Sequence, residues 1–106
     1  GVGADVNGVG YSGMGYRTSE VKPLALAAKS GAPFVTADPE NVYAGKYPLS
    51  RILYVYVNKA PGRPLDPLVL EFLRYVLSRQ GQEVVVKDGY LPLTAALAER
   101  ERKKLE

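Results

Sequence analysis

The sequence contains no cysteine and no histidine among its 106 residues. Without cysteine the chain has no disulfides, no thiolate metal ligands and no thiol nucleophile. Without histidine it lacks the commonest general base near neutral pH, which excludes Ser-His-Asp triads, zinc hydrolysis and histidine proton shuttles. The carboxylates of Glu71, Glu83 and Asp88 are dispersed and form no pair typical of glycosidases or proteases. We therefore expect no enzymatic activity, no metal site and no cofactor.

Long apolar runs and a strong net charge are also missing. No stretch approaches the roughly 18 to 20 apolar residues that span a bilayer, and no signal peptide opens the chain. The first residue is Gly1 rather than Met, so we expect a processed or trimmed product. The formal charge is only +3, from 14 Lys and Arg against 11 Asp and Glu. Because no basic stripe alternates with aromatic residues, the sequence predicts no nucleic-acid partner.

The remaining composition is that of an ordinary globular protein, with 46% hydrophobic and 24% charged residues, and the length suits one small domain. A glycine-rich start predicts a short strand near Val9 to Ser12, and alternating leucines predict another within Lys22 to Ala28. Asp38 and Pro39 then predict a short helix, because aspartate caps free N–H groups and proline suits the first helical position. Gly45 ends it.

The segment from Tyr47 to Lys59 has the strongest strand pattern in the chain. It contains the run from Ile52 to Val57, which is wholly apolar or aromatic and rich in residues that favour strands. Such a run lacks the alternation of a half-exposed strand, so both of its faces should be covered. The sequence therefore predicts a buried, central strand.

Three helices are predicted in the last forty or so residues. Asp66 is expected to cap a helix that begins at Pro67 and carries an apolar stripe. Gln82 to Lys87 is ambiguous between helix and strand; we favour a helix because Asp88-Gly89 is a good stop and Gly81 suits a tight joint. Thr94 is expected to cap a final helix, Ala95 to about Leu105, with Leu97 as its main buried anchor.

Two places offer residues able to bind an oxyanion if they converge. Tyr11 and Ser12 lie in Gly8-Val9-Gly10-Tyr11-Ser12-Gly13, which matches G-x-G-x-x-G, but no helix with an apolar stripe follows, so glycine-rich turns are the favoured interpretation. Ser50 and Arg51 precede the predicted central strand, with Lys46 nearby. The favoured interpretation of Arg51 is structural, in which it pairs with a carboxylate or caps a neighbouring helix.

Three segments share a pattern that covers nearly the whole chain. The first is the motif GVGY from Gly8 to Tyr11. The second, from Asn41 to Lys59, contains GKYPLSR and LYVYVNK. The third, from Glu71 to Leu93, contains EFL, YVLS, GQE and VVKDGYLPL. In this order the segments resemble the phosphate-binding proteins of bacterial phosphate ABC transporters.

The resemblance implies an α/β, periplasmic-binding-protein-like (type 2) two-lobed fold, of which this chain is only the C-terminal part. Residues 8–46 would finish the second lobe, residues 47–59 would form a return strand, and residues 66–106 would pack on the first lobe. The implied function is capture of inorganic phosphate for an ABC-transporter permease, outside the cytoplasm in the periplasm. The implied partners are phosphate, the permease and a missing N-terminal part.

The family's phosphate ligands cannot be carried over onto any residue of this sequence. Its ligand Asp, its ligand Arg and its Ser-Gly-Thr type loop have no counterpart here, so the candidates remain Tyr11, Ser12, Ser50 and Arg51. The chain is therefore expected to supply scaffold and hinge, and to bind phosphate weakly or not at all by itself. The alternative is a free-standing, homo-oligomeric interaction module that reuses the half-fold by pairing with another copy of the chain.

Overall fold

Most of the regular structure lies in the second half of the chain. The computed structural model describes residues 1–106 and contains two compact units, Gly1–Tyr54 and Val55–Glu106. Two short 3-10 turns come first, at Val2–Ala4 and Met14–Tyr16. The α-helices are α1 Pro39–Tyr43, α2 Pro67–Val76, α3 Arg79–Lys87 and α4 Ala95–Lys103.

Turns and a single β-bridge organise the first unit before α1. Leu26 and Val35 exchange two antiparallel backbone hydrogen bonds, of 2.9 and 2.8 Å. Gly31 lies in the turn between them with φ of 79°, a conformation that costs glycine little. The strand predicted within Lys22 to Ala28 is thus reduced to one paired residue, because only Leu26 meets a partner.

The strand predicted near Val9 to Ser12 does not form. Val9 is 82% exposed and Tyr11 is 99% exposed. The flanking glycines favour turns, and the segment lies between the two 3-10 turns with no neighbouring strand. A strand needs a partner for its backbone groups, and the local sequence supplies none.

The prediction of a buried central strand at Tyr47 to Lys59 is wrong for this chain. Ile52 to Val57 belongs to no β-ladder, and its side chains range from 42% exposed at Val57 to 89% at Tyr56. The apolar composition predicts that both faces are covered, but the six side chains are exposed in this structure. The role of residues 47–59 as a return strand in a longer protein stays a prediction.

The second unit follows its local sequence signals closely. The Oδ1 atom of Asp66 accepts from the backbone N–H groups of Leu68 and Val69 at 2.9 and 3.3 Å, which caps α2 as predicted. Gly89 follows α3 with φ of 85°, which confirms the predicted stop. Thr94 caps α4 through the N–H of Leu97, 3.3 Å away. Helix α4 ends at Lys103 rather than Leu105, and Leu97 is only half-buried.

The joint between α2 and α3 combines hydrogen bonds of Ser78 with a close backbone approach at Gly81. The Ser78 hydroxyl donates to the Tyr75 carbonyl at 2.6 Å and accepts from the Gly81 N–H at 3.1 Å. Gly81 is buried, and a Cβ atom there would lie 2.1 Å from the Tyr75 carbonyl oxygen. Only glycine therefore fits this joint without displacing the backbone. The sequence predicted the joint, and the structure identifies Ser78 as the cap of α3.

Longer-range bonds fix the second unit around this joint. The Gln82 side chain donates to the Val76 carbonyl at 2.8 Å and accepts from the Leu93 N–H at 2.7 Å. Arg102 in α4 donates to the Leu77 carbonyl at 2.9 Å. The buried apolar core is small and consists of Leu65 and Leu73, at 6% and 7% exposure.

Candidate functional site

Tyr11 and Ser12 lie on an exposed, glycine-rich loop in the first unit. The loop folds back on the chain start, where the Gly8 N–H donates to the Asp5 carbonyl at 2.9 Å. A Cβ atom at Gly10 would come within 2.8 Å of a Val2 methyl group, so glycine permits this close approach. A dinucleotide fingerprint requires a long helix after its glycines, whereas only the 3-10 turn Met14–Tyr16 follows. The structure therefore agrees with the interpretation of this motif as turns.

Helix α1 and the turn after it position Ser50 and Arg51. Gly45 has φ of 66°, which reverses the chain at the end of the helix. The Asn41 carbonyl then accepts from the backbone N–H groups of Lys46 and Tyr47, at 2.9 and 3.3 Å. This turn brings Lys46 and Tyr47 back beside the helix.

Hydrogen bonds before and after the helix fix this turn further. Asn41 Nδ2 donates to both the carbonyl and the hydroxyl oxygen of Thr36, at 3.0 and 3.1 Å. The Thr36 hydroxyl in turn donates to the Asp38 carboxylate. The Tyr47 hydroxyl donates to the Leu24 carbonyl at 3.2 Å. Sequence reasoning did not assign these positioning roles, and the only local signal was an asparagine in the first turn of a proline-started helix.

Ser50 already uses its hydroxyl hydrogen within the protein. Its Oγ atom donates to the Tyr47 carbonyl at 2.8 Å, and its backbone N–H donates to the same oxygen at 3.0 Å. The side chain is half-buried in this turn. A serine in this arrangement stabilises the turn, and it would have to break a hydrogen bond before it donated to an anion.

Arg51 and Lys46 are exposed cations without a carboxylate partner. All ion pairs of the structure lie between residues 71 and 104. The favoured structural interpretation of Arg51 is therefore wrong for this chain, because Arg51 makes no carboxylate pair and caps no helix. Two exposed positive charges near one turn attract anions weakly, because water and salt screen them.

Hydrogen bonds do not link the four candidates into one group. No hydrogen bond joins Tyr11 or Ser12 to Ser50 or Arg51. An open depression of about 540 Å³ in the first unit is lined by residues of the segment 26–34, and none of the candidates lines it. A groove of about 690 Å³ between α3 and α4 in the second unit also contains none of them. A tight anion site needs several donors aimed at one point, and the Ser50 hydroxyl already donates to the Tyr47 carbonyl.

No group of three or more Asp or Glu side chains lies close enough together to hold a metal ion. None of the helices has the length and apolar character required to cross a bilayer.

Both a protein-family model and individual known proteins match this chain. The family model described as "PBP superfamily domain" matches residues 3–80. The "Phosphate-binding protein PstS" of two Pseudomonas aeruginosa strains is 60% identical over 104 residues, which are 98% of this chain. The "Phosphate-binding protein PstS 2" of Streptococcus agalactiae is 32% identical over 97 residues, which are 92% of this chain.

These relatives are much longer than the chain. It spans 32% of the length of the Pseudomonas relative and 30% of the length of the Streptococcus relative. The resemblance to phosphate-binding proteins that the three sequence segments indicated is confirmed, and the similarity extends over nearly every residue. The match of the family model to most of the chain establishes that it belongs to the PBP superfamily.

Proposed function

We propose that this chain is part of a phosphate-binding protein that captures inorganic phosphate for uptake through an ABC transporter. The observation that carries the proposal is the 60% identity over 98% of the chain to a protein named for phosphate binding. Identity at this level over so much of the chain favours the same local structure and the same role within the larger protein. We infer no reaction, since the relatives are named for binding.

Within that protein, the chain supplies scaffold and hinge rather than the main phosphate ligands. The state of the candidates supports this role, because the Ser50 hydroxyl is engaged with the Tyr47 carbonyl and Tyr11 is almost fully exposed. Strong phosphate sites use converging N–H and hydroxyl donors at helix ends. The three longer helices, α2 to α4, begin with their first N–H groups capped by Asp66, Ser78 and Thr94.

The finer arrangement follows the family resemblance. Residues 8–46 belong to the end of the second lobe, residues 47–59 return to the first lobe, and residues 66–106 pack on it as the C-terminal part of an α/β two-lobed fold. The exposed apolar run from Ile52 to Val57 supports this arrangement, because burial against the remaining two thirds would remove a large apolar surface from water. The partners are then phosphate, the rest of the protein and a permease, and the location is periplasmic.

The alternative of a free-standing homo-oligomeric module has no support in the comparisons. Each of the relatives compared is a longer phosphate-binding protein, and the chain matches about a third of it.

A chimera tests the proposal. The matching 104-residue stretch of the Pseudomonas aeruginosa relative would be replaced by this chain, and phosphate binding would be measured by titration calorimetry. We expect the chimera to bind phosphate within about tenfold of its parent, a difference of about 1.4 kcal/mol. The parent lacking the stretch serves as the control and should lose binding, because its scaffold is incomplete.

Substitutions in the chimera separate scaffold from ligand roles. Arg51→Gln and Lys46→Gln should each change the phosphate Kd by less than about tenfold, since neither cation is a main ligand. A loss of more than about a hundredfold for Arg51→Gln would place a main ligand in this chain. A chimera that folds by circular dichroism but does not bind phosphate would contradict the proposed function itself.

A further inference from the structure

We draw no further inference here: the strongest candidate, the exposed apolar segment from Ile52 to Val57, carries nothing because nothing in the structure shows what covers it beyond the lobe packing already proposed.

Discussion

The two units of the chain differ in how their structure is held. The second unit, Val55–Glu106, contains three helices, each with a side-chain cap at its start, and a buried glycine joint. The first unit, Gly1–Tyr54, contains one five-residue helix, a single β-bridge and a series of turns. Helices satisfy their backbone groups within one segment, whereas strands require another segment. The difference teaches that local signals specify the second unit, whereas the first unit forms little regular structure.

The largest expected loss of stability comes from Gly81→Ala, at the joint of the second unit. The new Cβ atom would lie 2.1 Å from the Tyr75 carbonyl oxygen and 2.8 Å from that of Val76, so the backbone must shift. We expect a loss of about 3 kcal/mol in the free energy of unfolding, with reduced helix content. Urea unfolding followed by far-ultraviolet circular dichroism measures this, because the longer helices all lie in the second unit.

A matched glycine substitution serves as the control for Gly81→Ala. Gly62 also lies in the second unit, where a Cβ atom would meet nothing within 4 Å, although φ is 70°. Gly62→Ala should cost only about 1 to 2 kcal/mol of left-handed strain and leave helix content unchanged. Equal losses for both glycines would contradict the packing role of the joint.

Removal of core volume is expected to have the next largest effect. Leu73 is 7% exposed, whereas Leu68 on the same helix α2 is 79% exposed. Leu73→Ala should lower the free energy of unfolding by about 2 kcal/mol, because a buried side chain is lost and a cavity remains. Leu68→Ala should cost about 0.5 kcal/mol at most, as surface substitutions do. If both variants unfold at the same urea concentration, the buried Leu73 side chain does not stabilise the second unit more than the exposed Leu68 side chain does.

The two units can be compared directly at two aspartates, because each aspartate immediately precedes a helix that begins with proline. Asp66 accepts from two backbone N–H groups of α2, whereas Asp38 makes no bond to the backbone of α1. Asp66→Ala should therefore cost about 1 kcal/mol in the same urea experiment. Asp38→Ala should cost less, because only its bond from the Thr36 hydroxyl is lost. A larger loss of stability for Asp38→Ala than for Asp66→Ala would contradict the claim that the aspartate cap matters more in the second unit.

The smallest effect concerns the pH dependence of α4. Hydrogen bonds from Lys104, at 2.8 and 2.7 Å, hold the pKa of Glu101 below its usual value of 4.5, and Arg100 lowers it further. A lowered pKa in the folded chain means that the unfolded chain binds more protons at acidic pH. The stabilisation is present above pH 4.5 and is lost as the pH falls through the lowered pKa.

Glu101→Gln tests this dependence against the wild-type chain. The variant lacks the titrating group, so its thermal midpoint should change slightly less than that of the wild type between neutral and acidic pH. Glu99→Gln is a control on the same helix, since Glu99 pairs with Arg102 at 3.2 Å. An identical change of the thermal midpoint with pH in Glu101→Gln and the wild type would show that Glu101 does not contribute to the pH dependence of stability.

The helices could be predicted from the sequence because their signals are local. Asp66 before Pro67, Gly89 after α3 and Thr94 before α4 lie within a turn of the ends that they determine. The run from Ile52 to Val57 shows the opposite case. Its composition indicates that both faces need cover, but its side chains are 42% to 89% exposed in this structure.

The candidate site was predictable only in part. The sequence identified Ser50 and Arg51 as candidates just before a predicted central strand, and the family resemblance, now confirmed, supplied the expectation of phosphate. It did not predict that the Ser50 hydroxyl would donate to the Tyr47 carbonyl, since that depends on the turn geometry set by Asn41 and Gly45. Whether any of the four candidates contacts phosphate stays a prediction.

The most direct test of the central claim is a calorimetric titration of the 106-residue chain with inorganic phosphate at low salt. A scaffold without the main ligands should give a Kd no tighter than about 1 mM, or about −4 kcal/mol. Binding at about 1 μM, or about −8 kcal/mol, would contradict the claim and place the phosphate site within this chain.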